Sequence, residues 1–418
     1  MKWCATGFLL LVVVAVCPES VFGQTFVWTQ TSAPNNLVCS GITSSTDGTK
    51  LAACGEDGTT LGAICVYTST NTGLTWTRVP TPYTPNPWIY GALNCIASSS
   101  DGKDLVLGGW TTYSTTNSGY IYYSEAAGAA YTWFQASEPS EPGTYLWQNW
   151  NSIASSSDGS KTMVAGHYVI AISTNYDLTW FFAPIAPNQR GYWKTVVCSA
   201  DGKKLVATDV IQIYTSTNTG SSWSLTSAPS NQWSAIASSS DGTKLVACND
   251  YSIGRIYTST NSGLNWTPTG APSNTFWSAV TSSTDGTKLA ACSYSGNIYF
   301  STNSGLTWTS NSFPTYVRAM AASADGTKLF AGFNGGGISV GQLILPAQKF
   351  SASTSSSGVA LQFNGAPNCR YVLYAATSLN LPITWQPVIT NSTDANGNWR
   401  FTDTKFNQYS QRFYTASQ

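Results

Sequence analysis

Along most of the chain, apolar and polar residues alternate over short stretches of four to eight, broken by Asp-Gly or by clusters of Ser, Thr, Asn and Gly. Ser234-Ala235-Ile236-Ala237 precedes one Asp-Gly, and Lys244-Leu245-Val246-Ala247-Cys248 follows it. Period-two runs on either side of Asp-Gly predict an antiparallel hairpin, because Gly accepts positive φ and Asp caps the turn with its carboxylate. The same phrase recurs, with its aspartate at Asp47, Asp101, Asp158, Asp201, Asp241, Asp285 and Asp325, at gaps of 54, 57, 43, 40, 44 and 40 residues. Arg255-Ile256-Tyr257-Thr258 marks a third strand, and a fourth begins at a Trp. Four short strands per period of ~40–50 residues predict propeller blades. The seven aspartates read as repeated turn chemistry rather than as a catalytic or metal-binding set.

A second motif follows the Asp-Gly hairpin. Ser69-Thr70-Asn71-Thr72-Gly73-Leu74-Thr75-Trp76 recurs in versions ending at Trp180, Trp223, Trp266 and Trp308, with a stretched form ending at Trp133. The seventh unit, from Asp325, ends near Leu345 without its Trp. Phe26-Val27-Trp28-Thr29 precedes the first Asp-Gly and matches a fourth strand. The expectation is therefore an all-β, seven-bladed β-propeller over 24–346, with the N-terminal strand completing the last blade and covering its edge.

Ser-Thr-Asn-x-Gly-x-x-Trp resembles the Asp-box, or BNR, repeat of sialidase-like seven-bladed propellers, with Asn in the usual Asp place. The resemblance implies a structural hairpin between the two outer strands, on the face opposite the active site. It speaks to fold more than to activity. Residues 347–418 break the period. Val359–Phe363, Tyr371–Tyr374, Trp399–Phe401 and Arg412–Tyr414 alternate like strands of a small C-terminal β-sandwich-like domain.

Residues 1–23 read as a secretory signal: Lys2, an apolar core from Phe8 to Val16, and small residues at the cleavage-critical positions of Val21-Phe22-Gly23. Val16 is larger than the residue that lipidation of Cys17 calls for. No later stretch is apolar enough to span a membrane, so a secreted or extracytoplasmic protein, with possible cell-surface association, is expected. Eight of the ten cysteines lie beyond the signal. Cys54, Cys248 and Cys292 share one repeat position and read as packing residues, and Cys39 with Cys54 is the one pair that could be bridged across a hairpin.

Composition narrows the function. Lys plus Arg and Asp plus Glu are 19 each, and charged residues are 9%. This balance lacks the basic footprint of nucleic-acid binding. Aromatics are 13%, with 17 Trp and 22 Tyr. Extra length gathers around the first three units, on the face away from the Asp-Gly turns, and brings Glu56, Asp57, Trp88, Tyr90, Trp110, Tyr113, Glu138, Glu141, Tyr145 and Trp147 with it. Eight residues before the Asp-Gly aspartate stand Trp150, Trp193, Trp233 and Trp277. Indole faces suit sugar rings, so Trp88, Tyr90, Trp110, Trp147, Trp150, Trp193, Trp233 and Trp277 form the expected ligand-binding set. The competing reading is that the four repeated Trp wedge adjacent blades together.

No catalytic, metal or cofactor set is assigned. The propeller has only Arg78, Arg190, Arg255 and Arg318, and no Arg-Ile-Pro precedes the boxes, so no sialidase residue is carried over. Glu138 and Glu141 lie in Ser-Glu-Pro-Ser-Glu-Pro, an extended loop. Glu56, Asp57, Asp209 and Asp250 are the other face-side carboxylates, and His167 stands alone in sequence. The favoured reading is a secreted, monomeric, non-catalytic carbohydrate-binding module whose partner is a glycan or an extracellular protein. The alternatives are a glycoside hydrolase and a protein-interaction scaffold like the photosystem II assembly propellers, whose Arg-rich face this chain lacks.

Overall fold

The computed structural model describes residues 25–58, 64–80, 90–113, 116–125, 133–136, 149–167, 169–184, 192–250, 254–344, 349–355, 358–364, 370–378, 386–394, 398–405, 408–409 and 412–417. Every Asp-Gly becomes a tight turn by one device. In the fifth repeat the Ser239 hydroxyl donates to Asp241 Oδ1 at 2.6 Å, and the Thr243 N–H donates to the same oxygen at 2.9 Å. Ser239 Oγ in turn accepts from the Lys244 N–H at 3.0 Å. Gly242 sits at φ 68°, the left-handed conformation that the turn requires and that Gly adopts at least cost. The same hydroxyl and amide bonds at Asp47, led by the Ser45 hydroxyl, hold its carboxyl down at about 2. The aspartates are thus occupied as turn residues.

Around these turns grow seven four-stranded antiparallel sheets. The first pairs Leu37–Ser44, Leu51–Asp57, Ile64–Ser69 and Thr77–Val79; the fifth pairs Trp233–Ser238, Leu245–Asn249, Ile256–Ser259 and Thr267–Pro268. In the seventh, Val317–Ala322, Lys328–Phe333 and Ile338–Ile344 are joined by Thr25–Gln30 as the outermost strand. The Thr31 N–H donates to the Ile338 carbonyl at 3.0 Å, and the Trp28 ring meets Phe313 edge-on at 5.2 Å.

Backbone bonds link the turns of successive sheets. The N–H of Thr46 donates to Ser100 O, Ser100 to Ser157, Ser157 to Ala200, Ala200 to Ser240, Ser240 to Thr284, Thr284 to Ala324, and Ala324 back to Thr46, all at 2.7–2.8 Å. The series returns to its start. The innermost strands follow the same cycle, each packing against the one before and the one after it.

The second motif forms the turn between third and fourth strands. Asn71 Oδ1 accepts from the Thr75 N–H at 2.9 Å, and Ser69 Oγ from the Gly73 N–H at 2.9 Å. Thr72 then donates its N–H to the Thr49 carbonyl of the Asp-Gly turn at 2.8 Å, and the third, fourth, fifth and sixth sheets repeat that bond. Both turns therefore share one end of these five sheets.

All seven cysteines among the described residues are free thiols. The Cys39–Cys54 bridge does not form, because the two side chains leave opposite faces of the first sheet. Cys39 Sγ fills the space over Gly332 of the seventh sheet, while Cys54 Sγ reaches toward the Leu93 carbonyl of the second, 3.9 Å away. Burial pushes the Cys39 thiol up to about 12. Residues 28–342 form one compact unit, and 343–418 with the first residues form another. The latter holds two three-stranded sheets over a core of Val359, Leu361, Phe363, Tyr371, Leu373 and Trp399. Its buried Arg412–Asp403 pair, at 3.0 Å, is joined by the Tyr414 hydroxyl donating to Asp403 at 2.7 Å.

Candidate functional site

With both turn types at one end of five of the sheets, the other end is free to vary. There part of the added length of the second unit becomes strand. Tyr90–Ser98, Leu105–Tyr113 and Thr116–Ser124 are each 9 residues long, against 5 for Leu245–Asn249 of the fifth sheet. Alternation simply continues past the ordinary strand end, so backbone pairing continues with it. Trp110 therefore stands on a strand, opposite Ala92 and Gly119, with its indole half-buried. Glu56 and Asp57 close the strand Leu51–Asp57. Tyr90 and Tyr113 lie in strands, but their side chains fall outside the described residues, as do Trp88, Glu138, Glu141, Tyr145 and Trp147 altogether.

The four repeated Trp need correction as ligand-binding residues. Trp150 is 2% exposed, and Trp193, Trp233 and Trp277 are 0% exposed. Trp193 packs among Met163, Ala165 and Ile172 of the third sheet and Val196, Leu205 and Ala207 of the fourth. Trp233 and Trp277 repeat this one and two sheets on. Each ring meets a third-strand tyrosine at a steep angle: Trp193 with Tyr214 at 5.4 Å, Trp233 with Tyr257 at 5.6 Å, Trp277 with Tyr299 at 5.0 Å. An indole at this position faces the neighbouring sheet, and its faces are covered.

The face-side carboxylates are mostly held by structural partners. Asp57 accepts from Asn36 Nδ2 at 2.8 Å and lies 4.0 Å from the Arg78 guanidinium. Asp209 caps its own turn, accepting the N–H of Ile211 at 2.7 Å and of Gln212 at 2.6 Å. Asp250 pairs with Lys194 at 3.0 Å. The His167 ring packs on Tyr192, 4.5 Å between centroids. Among the described residues, no group of three or more His, Cys, Asp or Glu is placed to hold a metal ion, and no helix is long and apolar enough to cross a membrane.

One feature of this end escaped the sequence reading. In six of the seven innermost strands the register slips by one residue, between 39 and 41, 93 and 95, 150 and 152, 233 and 235, 277 and 279, and 317 and 319. In the fourth sheet, Lys194 and Thr195 both face Thr208. A β-bulge re-aims the extra residue, and here that residue is Ser40, Asn94, Asn151, Lys194, Ser234, Ser278 or Arg318. All seven are polar. Three of them stitch sheets together: Asn94 Nδ2 donates to the Trp150 carbonyl at 3.0 Å, Asn151 Nδ2 to Trp193 O at 2.8 Å, and Ser278 Oγ to Val317 O at 3.0 Å. The signal in the sequence was a polar residue seven places before each Asp-Gly aspartate.

Aromatic rings gather at the same end. Tyr192 is 41% exposed, Phe276 60% and Tyr294 49%. The Tyr294 and Tyr316 rings lie 5.7 Å apart. Burial, and next the Asp250 carboxylate, raise the pKa of the Tyr294 hydroxyl.

Among solved structures, the chain is similar to the GH74 xyloglucanase from Xanthomonas campestris, at 14% identity and a TM-score of 0.59, over 81% of this chain and 60% of that one. It is also similar to YCF48 from Cyanidioschyzon merolae, at 14% identity and a TM-score of 0.54, over 75% of this chain and 98% of that one. Both are β-propellers, and likeness at this identity shows the fold alone. The chain spans 60% of the length of the xyloglucanase. No family model matches the sequence, and no curated protein is similar to it.

Proposed function

We propose that this all-β propeller is an exported, non-catalytic carbohydrate-binding module. Its seven sheets act as the blades of one closed ring, and its Ser-Thr-Asn-x-Gly-x-x-Trp turns serve as Asp-boxes with Asn in the Asp place. The binding face is the end of the sheets away from those turns. The observation that carries this reading is the gathering of part-exposed rings there, with Trp110 on the lengthened strands of the second sheet and Tyr192, Phe276 and Tyr294 around the others. Such rings bury apolar area against a sugar while leaving hydroxyls free to bond. A glycosidase needs two carboxylates free to act, whereas Asp57, Asp209 and Asp250 hold other groups in place.

A second reading, an extracellular protein-interaction surface, draws on Val210, Ile211 and Phe276, at 36%, 53% and 60% exposure on this face. Large exposed apolar residues mark protein interfaces when they are contiguous. A glycan array on the secreted protein separates the readings, with xyloglucan oligosaccharides tried first because one structural neighbour is a xyloglucanase. Reducing-sugar release is followed in parallel. Binding without release is expected, and Trp110→Ala should weaken it by roughly 1–3 kcal/mol with little change in Tm. Release of reducing ends, or no bound glycan, overturns the proposal.

A further inference from the structure

Five of the seven bulge residues are engaged. Asn94, Asn151 and Ser278 reach the next sheet, Ser234 bonds the Cys248 carbonyl at 3.0 Å, and Lys194 pairs with Asp250 at 3.0 Å. Arg318 is different. It is exposed, and among the described residues its guanidinium makes neither an ion pair nor a hydrogen bond. It stands on the innermost strand of the seventh sheet, two residues from Tyr316, whose ring lies 5.7 Å from Tyr294. Tyr294 is in turn close enough to Asp250 to feel its charge, and Asp250 holds Lys194. Lys194, Asp250, Tyr294, Tyr316 and Arg318 therefore follow one another from the fourth sheet to the seventh along one end of the innermost strands.

Resting on the carbohydrate-binding reading, we infer that this arc takes an acidic sugar, a hexuronate within a glycan, with its carboxylate on Arg318 and its ring against Tyr294 and Tyr316. The charge balance supports this. Lys194 and Asp250 neutralise each other, which leaves Arg318 as the one uncompensated charge of the arc. A guanidinium presents its donors as a planar fork that matches a carboxylate two bonds at a time. Half-exposed phenol rings suit the apolar face of a pyranose, and the Lys194–Asp250 pair offers a donor and an acceptor to its hydroxyls. The neutral bulge residues of the other sheets offer a carboxylate hydrogen bonds but no charge.

Titration calorimetry on the full secreted chain tests the assignment, using tetragalacturonate, the neutral galactose tetramer and an oligoglutamate peptide. Tetragalacturonate should bind at least about tenfold tighter than the neutral tetramer, and the difference should shrink as salt rises. Arg318→Gln should remove that difference at unchanged Tm, while Arg318→Lys keeps part of it. Equal affinity for acidic and neutral tetramers, or an Arg318→Gln protein that still prefers the acidic one, overturns the inference. Oligoglutamate binding as tightly as tetragalacturonate overturns the sugar as the source of the carboxylate. Neutral glycan bound without acidic preference leaves the broader carbohydrate reading standing, whereas no glycan bound at all removes both.

Discussion

Asp177 stands in the third outer turn where Gly73, Gly220, Gly263 and Gly305 stand in four others, and it keeps their left-handed backbone, at φ 62°. A non-glycine residue held there carries strain of order 1–3 kcal/mol. The residue is 3% exposed, and burial pushes its carboxyl up from 3.8 to about 7. A raised carboxyl pKa means that the folded chain holds a proton the unfolded chain has released. Asp177 therefore favours the fold least at high pH: stability falls as pH climbs from about 4 to about 7, by at most ~4 kcal/mol. Asp177→Gly should raise stability by at least the roughly 1–3 kcal/mol of backbone strain at either pH, and by more at pH 8 than at pH 5, read from urea midpoints at both pH values. The aspartates of the inner turns behave oppositely. Asp47, held at about 2, contributes stability that is complete above 3.8 and lost as pH falls through about 2. Sequence exposed the second behaviour, since Asp before Gly in a hairpin has a local cause. It could not expose the first, because burial of one turn residue depends on the sheet beside it.

Between single residues and the whole molecule lie the strands, and here period and turn residues carried far. Alternation around Asp-Gly and the Asn-turn placed all four strands of a unit, and the unpaired Trp28 segment pointed to the seventh sheet that it joins. Two things stayed hidden. Register slips need a partner strand before they exist, so the polar residue seven places before each Asp-Gly aspartate, Lys194 and Arg318 among them, was not recognisable as a bulge. The direction of a Trp on an innermost strand is also settled by the neighbouring sheet, and Trp193, Trp233 and Trp277 turned inward. Their replacement should be costly. Trp277→Ala should lose roughly 3–5 kcal/mol, the range for a fully buried aromatic. Trp266, half-buried and donating its indole N–H to the Gly263 carbonyl at 3.1 Å, should lose less. Equal losses in urea denaturation at unchanged m-values would contradict this ordering.

At the scale of the whole molecule, the chain's two ends of the repeat array meet in one sheet. Removing residues 24–36 takes away the outermost strand of the seventh sheet, the Trp28–Phe313 contact and the Thr31–Ile338 bond, and uncovers an apolar edge. Its melting temperature should drop by several degrees or more in calorimetry, and an unchanged value would show that the seam does not need this strand. The same seam has a consequence in time. Thr31 and Ile338 are separated by 307 positions in the sequence, so a segment synthesised early bonds to one synthesised some three hundred residues later. At roughly 5–20 residues per second, Thr25–Gln30 waits on the order of 15–60 s without its partner strand. Six sheets can assemble during that wait from neighbours in sequence, but the seventh cannot. The earliest strand is the last one placed, and a chain interrupted before Ile338 leaves it with nothing to pair against.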